Sequence, residues 1–517
     1  MKKTIVLMAL LSVFSGGVFA AETEKKPNVL FIITEDTHWN VFGSYGNPIC
    51  QTPNIDKLAR SGIRFEHAYC NGSACNATRT SFIHGLRPRT TQIWNNDQRI
   101  VDRLPAEFAK TNLPQLFKDG GYTTIDIGKF YHTVSYAPEQ VAVFDRIESY
   151  AKPAGWQGPP PILEFPPARP DPSKLARPRA LKDKDNTGLP PDELTYARQR
   201  SDSYGDSGLD FKDESDTHKG EIAVALLEEF AAEKEPDKKP FFLVLSFGKP
   251  HTPYLSPTKY ATRYNPETIP DPPAPVSSFK DFPYLVRSTG KNPDIFREYP
   301  ASPKEAKEAI AAYYGCVTFI DDALAPVLET LEKTGLDKDT IVILIGDHGV
   351  HLGDHNMWAK YSLLEGTHRA PFILRVPGAK ENGKVSREIV EFVDILPTLA
   401  DLCGLRKPEK LEGVSLKPLL ENVATPWKKA AFLEDQDLNA AVRTKKYSYL
   451  EFYGPSKHVL TQFNTEYKEA LFDLEKDPDE TVNLANDPAY ADVKKELADL
   501  LHKGWKEALP PKQGNAE

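Results

Sequence analysis

The chain has 517 residues, 40% hydrophobic and 26% charged, with 64 basic against 73 acidic side chains and a formal charge of −9. This balance excludes a disordered chain and a membrane-embedded bundle, and the acidic excess leaves no broad basic field for nucleic acid. Five cysteines in this length do not make a disulfide-built scaffold.

Residues 1–20 read as an export signal. Lys2 and Lys3 are followed by an apolar stretch from Thr4 to Phe14, and Val18 and Ala20 are the small residues before a cleavage point after Ala20. The stretch is too short to span a bilayer, and no later run approaches that length. The expectation is an exported chain, periplasmic or secreted, with no membrane anchor once the signal is removed.

Short apolar runs rich in β-branched and aromatic residues come next, at Val29–Thr34, Thr123–Ile127, Phe241–Ser246 and Ile341–Ile345. They lack polar alternation, which predicts strands buried on both faces of a parallel sheet. Helical patterns lie between them. Ser302-Pro303 is a cap with proline in the first turn, and Ile310, Tyr313, Val317, Ile320, Leu324, Val327 and Leu331 keep helical spacing until Gly335. A second helix is predicted from Pro397 to Cys403. Strands alternating with helices predict a doubly wound α/β core. Residues 152–192 and Asn265–Val276 are too proline-rich for either element and read as surface excursions. The catalytic unit is placed at 21–425. From 426 to 517 short strands (Ala430–Leu433, Ala441–Arg443, Tyr447–Phe452, Ala470–Asp473) precede an amphipathic helix near Tyr490–Glu507, a small α+β appendage.

The residues just beyond each predicted strand carry the chemistry. The four runs lead into Glu35-Asp36, Gly128-Lys129 with His132 beyond, Lys249-Pro250-His251, and Gly346-Asp347-His348. Ligands of an open parallel sheet sit at the carboxyl ends of its strands, so these segments converge on one rim. Glu35, Asp36 and Asp347, with His348 a ligand or a donor behind them, offer hard oxygen ligands that favour Ca²⁺ or Mg²⁺ over zinc. Lys129, His132, Lys249, His251 and Lys360 add cationic donors. A divalent cation beside such donors suits a tetrahedral oxyanion, phosphate or sulfate. Cys75 opens a predicted helix four residues before Arg79, in positive potential that favours a thiolate.

The run Ala74-Cys75-Asn76-Ala77-Thr78-Arg79, with Gly85 six residues after the arginine, resembles the signature of type I sulfatases, members of the alkaline phosphatase superfamily. Further segments resemble that family in order along the chain: NVLFIITED, TPNIDKLARSGIRFEHAY, GLRPRTT, GDHGVHLGDHNMWAKY and LFDLEKDPDETVNLAND. The segments RPRTTQIW, LPQLFKDGGYTTIDIGKFYH and FFLVLSFGKPHTPY are similar to the iduronate-2-sulfatase branch. The resemblance implies a large, mostly parallel sheet sandwiched by helices, with a small C-terminal subdomain. It implies that a maturing enzyme oxidises Cys75 to formylglycine, whose hydrate attacks sulfur and then expels sulfate in two steps. It also implies that Arg79 holds the modified residue and nearby carboxylates. Lys129 and His132 then bind the hydrate, His251 and Lys360 hold the sulfate, and Glu35, Asp36, Cys75, Asp347 and His348 surround one Ca²⁺. The implied substrate is a sulfated sugar or oligosaccharide, with 2-O-sulfate of a uronic acid as the branch's position. Two positions depart from the pattern: Glu35 stands for an aspartate, and Ala77 for the commoner proline. A phosphate or phosphonate ester hydrolase of the same superfamily, or a glycan-binding homologue without catalysis, are the alternatives. Arg87 and Arg89 are candidates for acidic sugar groups, and His38, Trp39, His84, His355 and Trp358 for sugar contacts.

Overall fold

The computed structural model describes residues 25–511 apart from 109–110, 133–134, 136, 149–202, 235–237, 274–294, 297–300, 436–438 and 454–468. The signal segment, the proline-rich stretch 152–192 and the end of the second excursion lie outside the described residues.

Sixteen strands are described. β1 (Asn28–Thr34), β2 (Ile63–Tyr69), β3 (Thr123–Ile127), β4 (Arg146–Glu148), β6 (Phe241–Phe247), β8 (Thr340–Gly346), β11 (Phe372–Arg375) and β12 (Val385–Glu391) build the main sheet. Its order is β12-β2-β11-β8-β1-β6-β3-β4. Every described pairing is parallel except those of β11, which runs antiparallel to β8 and β2. β5 (Tyr204–Asp206) pairs with β7 (Tyr254–Ser256), and β9 (His351–Leu352) with β10 (Trp358–Ala359), as small ribbons. β13 (Ala431–Glu434), β14 (Ala440–Arg443), β15 (Tyr447–Glu451) and β16 (Glu469–Asp473) form the antiparallel C-terminal sheet.

The six helices that matter here are α1 (Pro53–Ser61), α2 (Cys75–His84), α3 (Ser215–Ala232), α4 (Pro303–Thr334), α5 (Ile395–Leu402) and α6 (Ala491–Lys503). The main sheet is covered on both faces. Leu30 and Ile32 of β1 face a core shared with α1, α3 and α4, while Val29, Phe31 and Ile33 face one shared with α2 and α5. This two-sided burial explains the unbroken apolar run. Cutting Ile32 to alanine there costs about 2–5 kcal/mol of stability.

α4 starts at a capping box in which Ser302 and Glu305 exchange hydrogen bonds, and it stops at Gly335 in the left-handed region (φ 73°). The helix therefore runs the full length its periodicity predicts. β1 lies in register with both neighbours, Thr34 opposite Gly346 and Phe247, so the strands end at one level. That edge carries the site. Among the described residues no helix is long and apolar enough to cross a membrane.

Candidate active site

The edge of the sheet brings together the residues its strands deliver. Beyond β1 the backbone turns left-handed at Asp36 (φ 46°), a conformation that costs a non-glycine residue roughly 1 kcal/mol. Tyr313 of α4 holds the turn: its hydroxyl donates to the Asp36 carbonyl (2.7 Å) and accepts from the His38 amide (2.9 Å).

Cys75 is the first residue of α2, where unpaired amides make the local potential positive. Its sulfur lies 3.0 Å from Lys360 Nζ and 3.1 Å from His348 Nε2. Burial opposes its ionisation, yet Lys360, Lys129 and His348 together pull the thiol below its ordinary pKa. One turn on, the fully buried Arg79 donates to Asp347 Oδ2 through Nε (3.2 Å) and Nη2 (3.1 Å), and to Glu35 Oε1 (3.4 Å). The same guanidinium reaches the carbonyls of Lys129 and Phe130. One arginine thereby joins the ends of β1, β8 and β3.

Gly128 lets β3 release Lys129 into the site. Its φ is 106°, and a Cβ there would lie 2.3 Å from the Ser246 carbonyl oxygen, so glycine is required. Lys129 Nζ sits 3.0 Å from the Glu35 carboxylate. Burial works against the charge on Glu35, but Lys129 and Arg79 outweigh it and hold the acid down at about 2. His132 is driven to about 2 by burial and then by Lys129 and Arg79; its ring is neutral, and Nδ1 has no partner among the described residues.

His251 donates Nδ1–H to the Thr252 carbonyl (2.6 Å), which leaves Nε2 facing Asp36 at 3.8 Å. His348 likewise donates Nδ1–H to Gly349 (2.8 Å) and aims Nε2 at Cys75 and Asp36. Burial disfavours its charge, but Asp347, Cys75 and Asp36 raise it to about 9. Lys360 comes directly after the β9–β10 ribbon and places Nζ 2.7 Å from Asp36 Oδ1.

Donor atoms of Asp36, Cys75, Asp347 and His348 all lie within 4.8 Å of one another, an arrangement able to hold a metal ion. Two carboxylates, an imidazole with its Nε2 directed inward, and the residue-75 position fit a divalent cation. The ammonium of Lys360 already stands among them, marking where positive charge is drawn. Glu35 stands apart from this set: its longer side chain carries the carboxylate to Arg79 and Lys129 instead.

Other candidates are placed elsewhere. Lys249 turns its ammonium to the Pro253 carbonyl (2.6 Å). Arg87 is buried in a pair with Glu391 (2.6 Å), and Arg89 pairs with Glu434 (2.8 Å). His84 is buried against the Thr111 carbonyl. His38, Trp39 and His355 line a cavity of about 300 Å³ with Asp354, Tyr314 and Pro272. Trp358 packs on Phe296. All five cysteines are free and buried. Tyr313 escaped sequence reasoning as a site residue because its spacing marks it equally well as core.

A rim of lysines and histidines around a nucleophile at a helix start, above a mostly parallel α/β sheet, defines an esterase-type site for tetrahedral oxyanions. The chain belongs to the sulfatase family: the Sulfatase family model matches residues 27–405, and that of the N-sulphoglucosamine sulphohydrolase C-terminal region matches 353–507. It is 30% identical over 487 residues to a sulfatase of Formosa agariphila, covering 92% of this chain and 87% of that one. It is 28% identical to human iduronate 2-sulfatase, covering 78% of this chain and 74% of that one. The phosphonate monoester hydrolase of Agrobacterium radiobacter shares the fold, with a TM-score of 0.69 at 21% identity over 94% of this chain and 96% of that one. The chain is thus a sulfatase on an alkaline phosphatase-like scaffold.

Proposed function

We propose that this sulfatase is an exported enzyme that hydrolyses a sulfate ester of a sulfated sugar, within an oligosaccharide, with 2-O-sulfate of a uronic acid as its position. The observation that carries the reading is the Cys75 sulfur at the start of α2, between Lys360 at 3.0 Å and His348 at 3.1 Å. The similarity to iduronate 2-sulfatase supports the sugar and the position.

Oxidised to formylglycine by a maturing enzyme, residue 75 supplies a hydroxyl of the hydrated aldehyde as nucleophile. Asp36, Asp347, His348 and residue 75 would hold a Ca²⁺ ion, which would supply charge neutralisation at the sulfate oxygens, and Glu35 adds negative charge nearby. Lys129, His251 and Lys360 hold the sulfate and the leaving oxygen. His132, with Lys129, binds the hydrate; its Nδ1 has no partner among the described residues. Arg79 keeps Asp347 and Glu35 ionised and fixed.

The test has two parts. Mass spectrometry of the tryptic peptide containing Cys75, from protein made in its natural host, should show formylglycine. Sulfate release from a panel of sulfated glycans should accompany it, and Cys75→Ala should lower that release by roughly 10⁴-fold or more. Matched aryl sulfate, phosphate and phosphonate esters check the element attacked. A phosphonate preferred in kcat/KM would overturn the reading, as would an unmodified thiol in a protein that binds glycans without turnover.

A further inference from the structure

Both ends of the segment carrying Cys75 converge on one buried carboxylate. Asn71 lies four residues before Cys75, and Arg87 lies three residues past the end of α2. Glu391, at the end of β12, is 1% exposed. Its Oε1 accepts from Asn71 Nδ2 (3.0 Å), Arg87 Nη1 (2.6 Å) and the Phe432 amide (2.9 Å). Its Oε2 accepts from Arg87 Nη2 (2.7 Å) and Lys428 Nζ (2.8 Å). Both oxygens of the acid are therefore engaged, with the arginine in the bidentate geometry that fixes direction as well as distance.

The donors come from both units of the chain. Phe432 lies on the C-terminal sheet and Lys428 just before it, and Lys428 also holds Asp394 at 2.7 Å. Asn71 is gripped further: its Oδ1 accepts from the Val393 amide (3.2 Å) and its carbonyl from the Glu434 amide (3.1 Å). Between Asn71 and Cys75 the chain packs closely on α2, since a Cβ on Gly72 would lie 2.6 Å from the Ala77 side chain. At the far end the Arg87 guanidinium stacks over Trp505 (5.3 Å) and Phe432 (5.8 Å). None of these groups is within the catalytic cluster, yet together they set where α2 begins.

We infer that Glu391 is a positioning residue for the nucleophile: its carboxylate clamps Asn71 and Arg87, and so fixes the distance of Cys75 from His348 and Lys360. The inference rests on Cys75 being the residue that becomes the nucleophile. Attack requires the reacting atoms to be held roughly 3–3.5 Å apart, so a relaxed clamp lowers the rate of the chemical step without altering the groups that hold sulfate.

Glu391→Gln keeps the shape and removes the charge, and Asn71→Ala removes one arm while leaving every charge in place. Rates are scaled to the fraction of molecules carrying the modified residue 75, measured by mass spectrometry. Each variant should lose about tenfold or more in kcat with KM within about twofold of the parent and an unmoved pH profile. Because both act by one route, the double variant should be little slower than the slower single one. Scaled kcat equal to the parent's, with only Tm lowered, overturns the clamp; so does a loss confined to KM. If Glu391→Gln does not fold, Asn71→Ala decides alone. An inactive parent overturns the functional reading and the clamp with it, whereas an active parent with unimpaired variants overturns the clamp alone.

Discussion

Two buried charge clusters adjoin the segment that carries α2, and they are built on opposite plans. At the sheet edge, Glu35, Asp36 and Asp347 face Arg79, Lys129, His348 and Lys360, and four donor atoms converge to leave a place for a cation. At the junction with the C-terminal sheet, Glu391 and Asp394 are saturated by Arg87, Lys428, Asn71 and backbone amides. The first cluster is open in that its converging donor atoms could take up a cation; the second is closed on itself. Burying charge costs several kcal/mol per ion unless partners compensate. In the open cluster a bound cation would complete the compensation; in the closed one protein alone supplies it.

Three experiments put that contrast at risk. Stripping divalent ions with a chelator should abolish turnover by about 10³-fold or more, restored by Ca²⁺ better than by Mg²⁺, while the unfolding midpoint falls only by the lost binding energy. Activity unchanged after exhaustive chelation would count against a metal at Asp36 and Asp347. Next, Lys129→Met should reduce kcat/KM by roughly 10²–10³-fold and leave the urea midpoint nearly in place, since this lysine's side chain is 20% exposed. Lys428→Met should show the reverse emphasis. With its side chain 1% exposed, its loss leaves Glu391 and Asp394 short of a cation and should destabilise the fold by about 3–5 kcal/mol in urea titration.

The smallest effect concerns a group in neither cluster. Burial holds His84 down at about 4 in the folded chain, against about 6.5 when unfolded. The stability contributed by its neutral ring is whole above about 6.5 and is lost as pH falls through about 4. At pH 5 that loss is about 2 kcal/mol. His84→Asn should shrink the drop in urea midpoint between pH 7.5 and pH 5 by this amount, and an unchanged drop would assign the acid sensitivity elsewhere.

The same contrast decides what could be read from the sequence. β1, β6 and β8 are visible because central parallel strands are apolar at nearly every position, and β3 (TTIDI) is visible through its β-branched residues. β2 (IRFEHAY) and β12 (VSREIVE) are not, because charged residues interrupt them toward the sheet margin, and nothing local announces that β11 runs antiparallel. Much of the open cluster is legible for a topological reason: Glu35, Asp36, Lys129, Asp347 and His348 come directly after buried strands, so one rule about strand ends gathers them, whereas Arg79 on α2 and Lys360 after the β9–β10 ribbon lie outside it. Lys249 obeys that rule and still turns aside, since strand position does not set side-chain direction. The closed cluster leaves no such trace. Arg87 and Glu391 are 304 residues apart and belong to no spaced pattern, so an arginine offered for acidic sugars proves to be buried. Glu35 and Asp36 are adjacent in sequence, but the Glu35 carboxylate lies on Lys129 and Arg79 while Asp36 joins the four converging donors.

The burial of Cys75 also has a timetable. Its sulfur is enclosed by Lys360, a residue 285 positions later in the chain. At ribosomal rates of about 5–20 residues per second, roughly 15–60 s pass between the synthesis of one and the arrival of the other. During that interval residue 75 is still reachable, and once β8 and the β9–β10 ribbon dock, it is 1% exposed. An enzyme modifying this sulfur would therefore have to work on the nascent chain or on a chain still unfolded, and the time before folding would bound how much of the protein it converts.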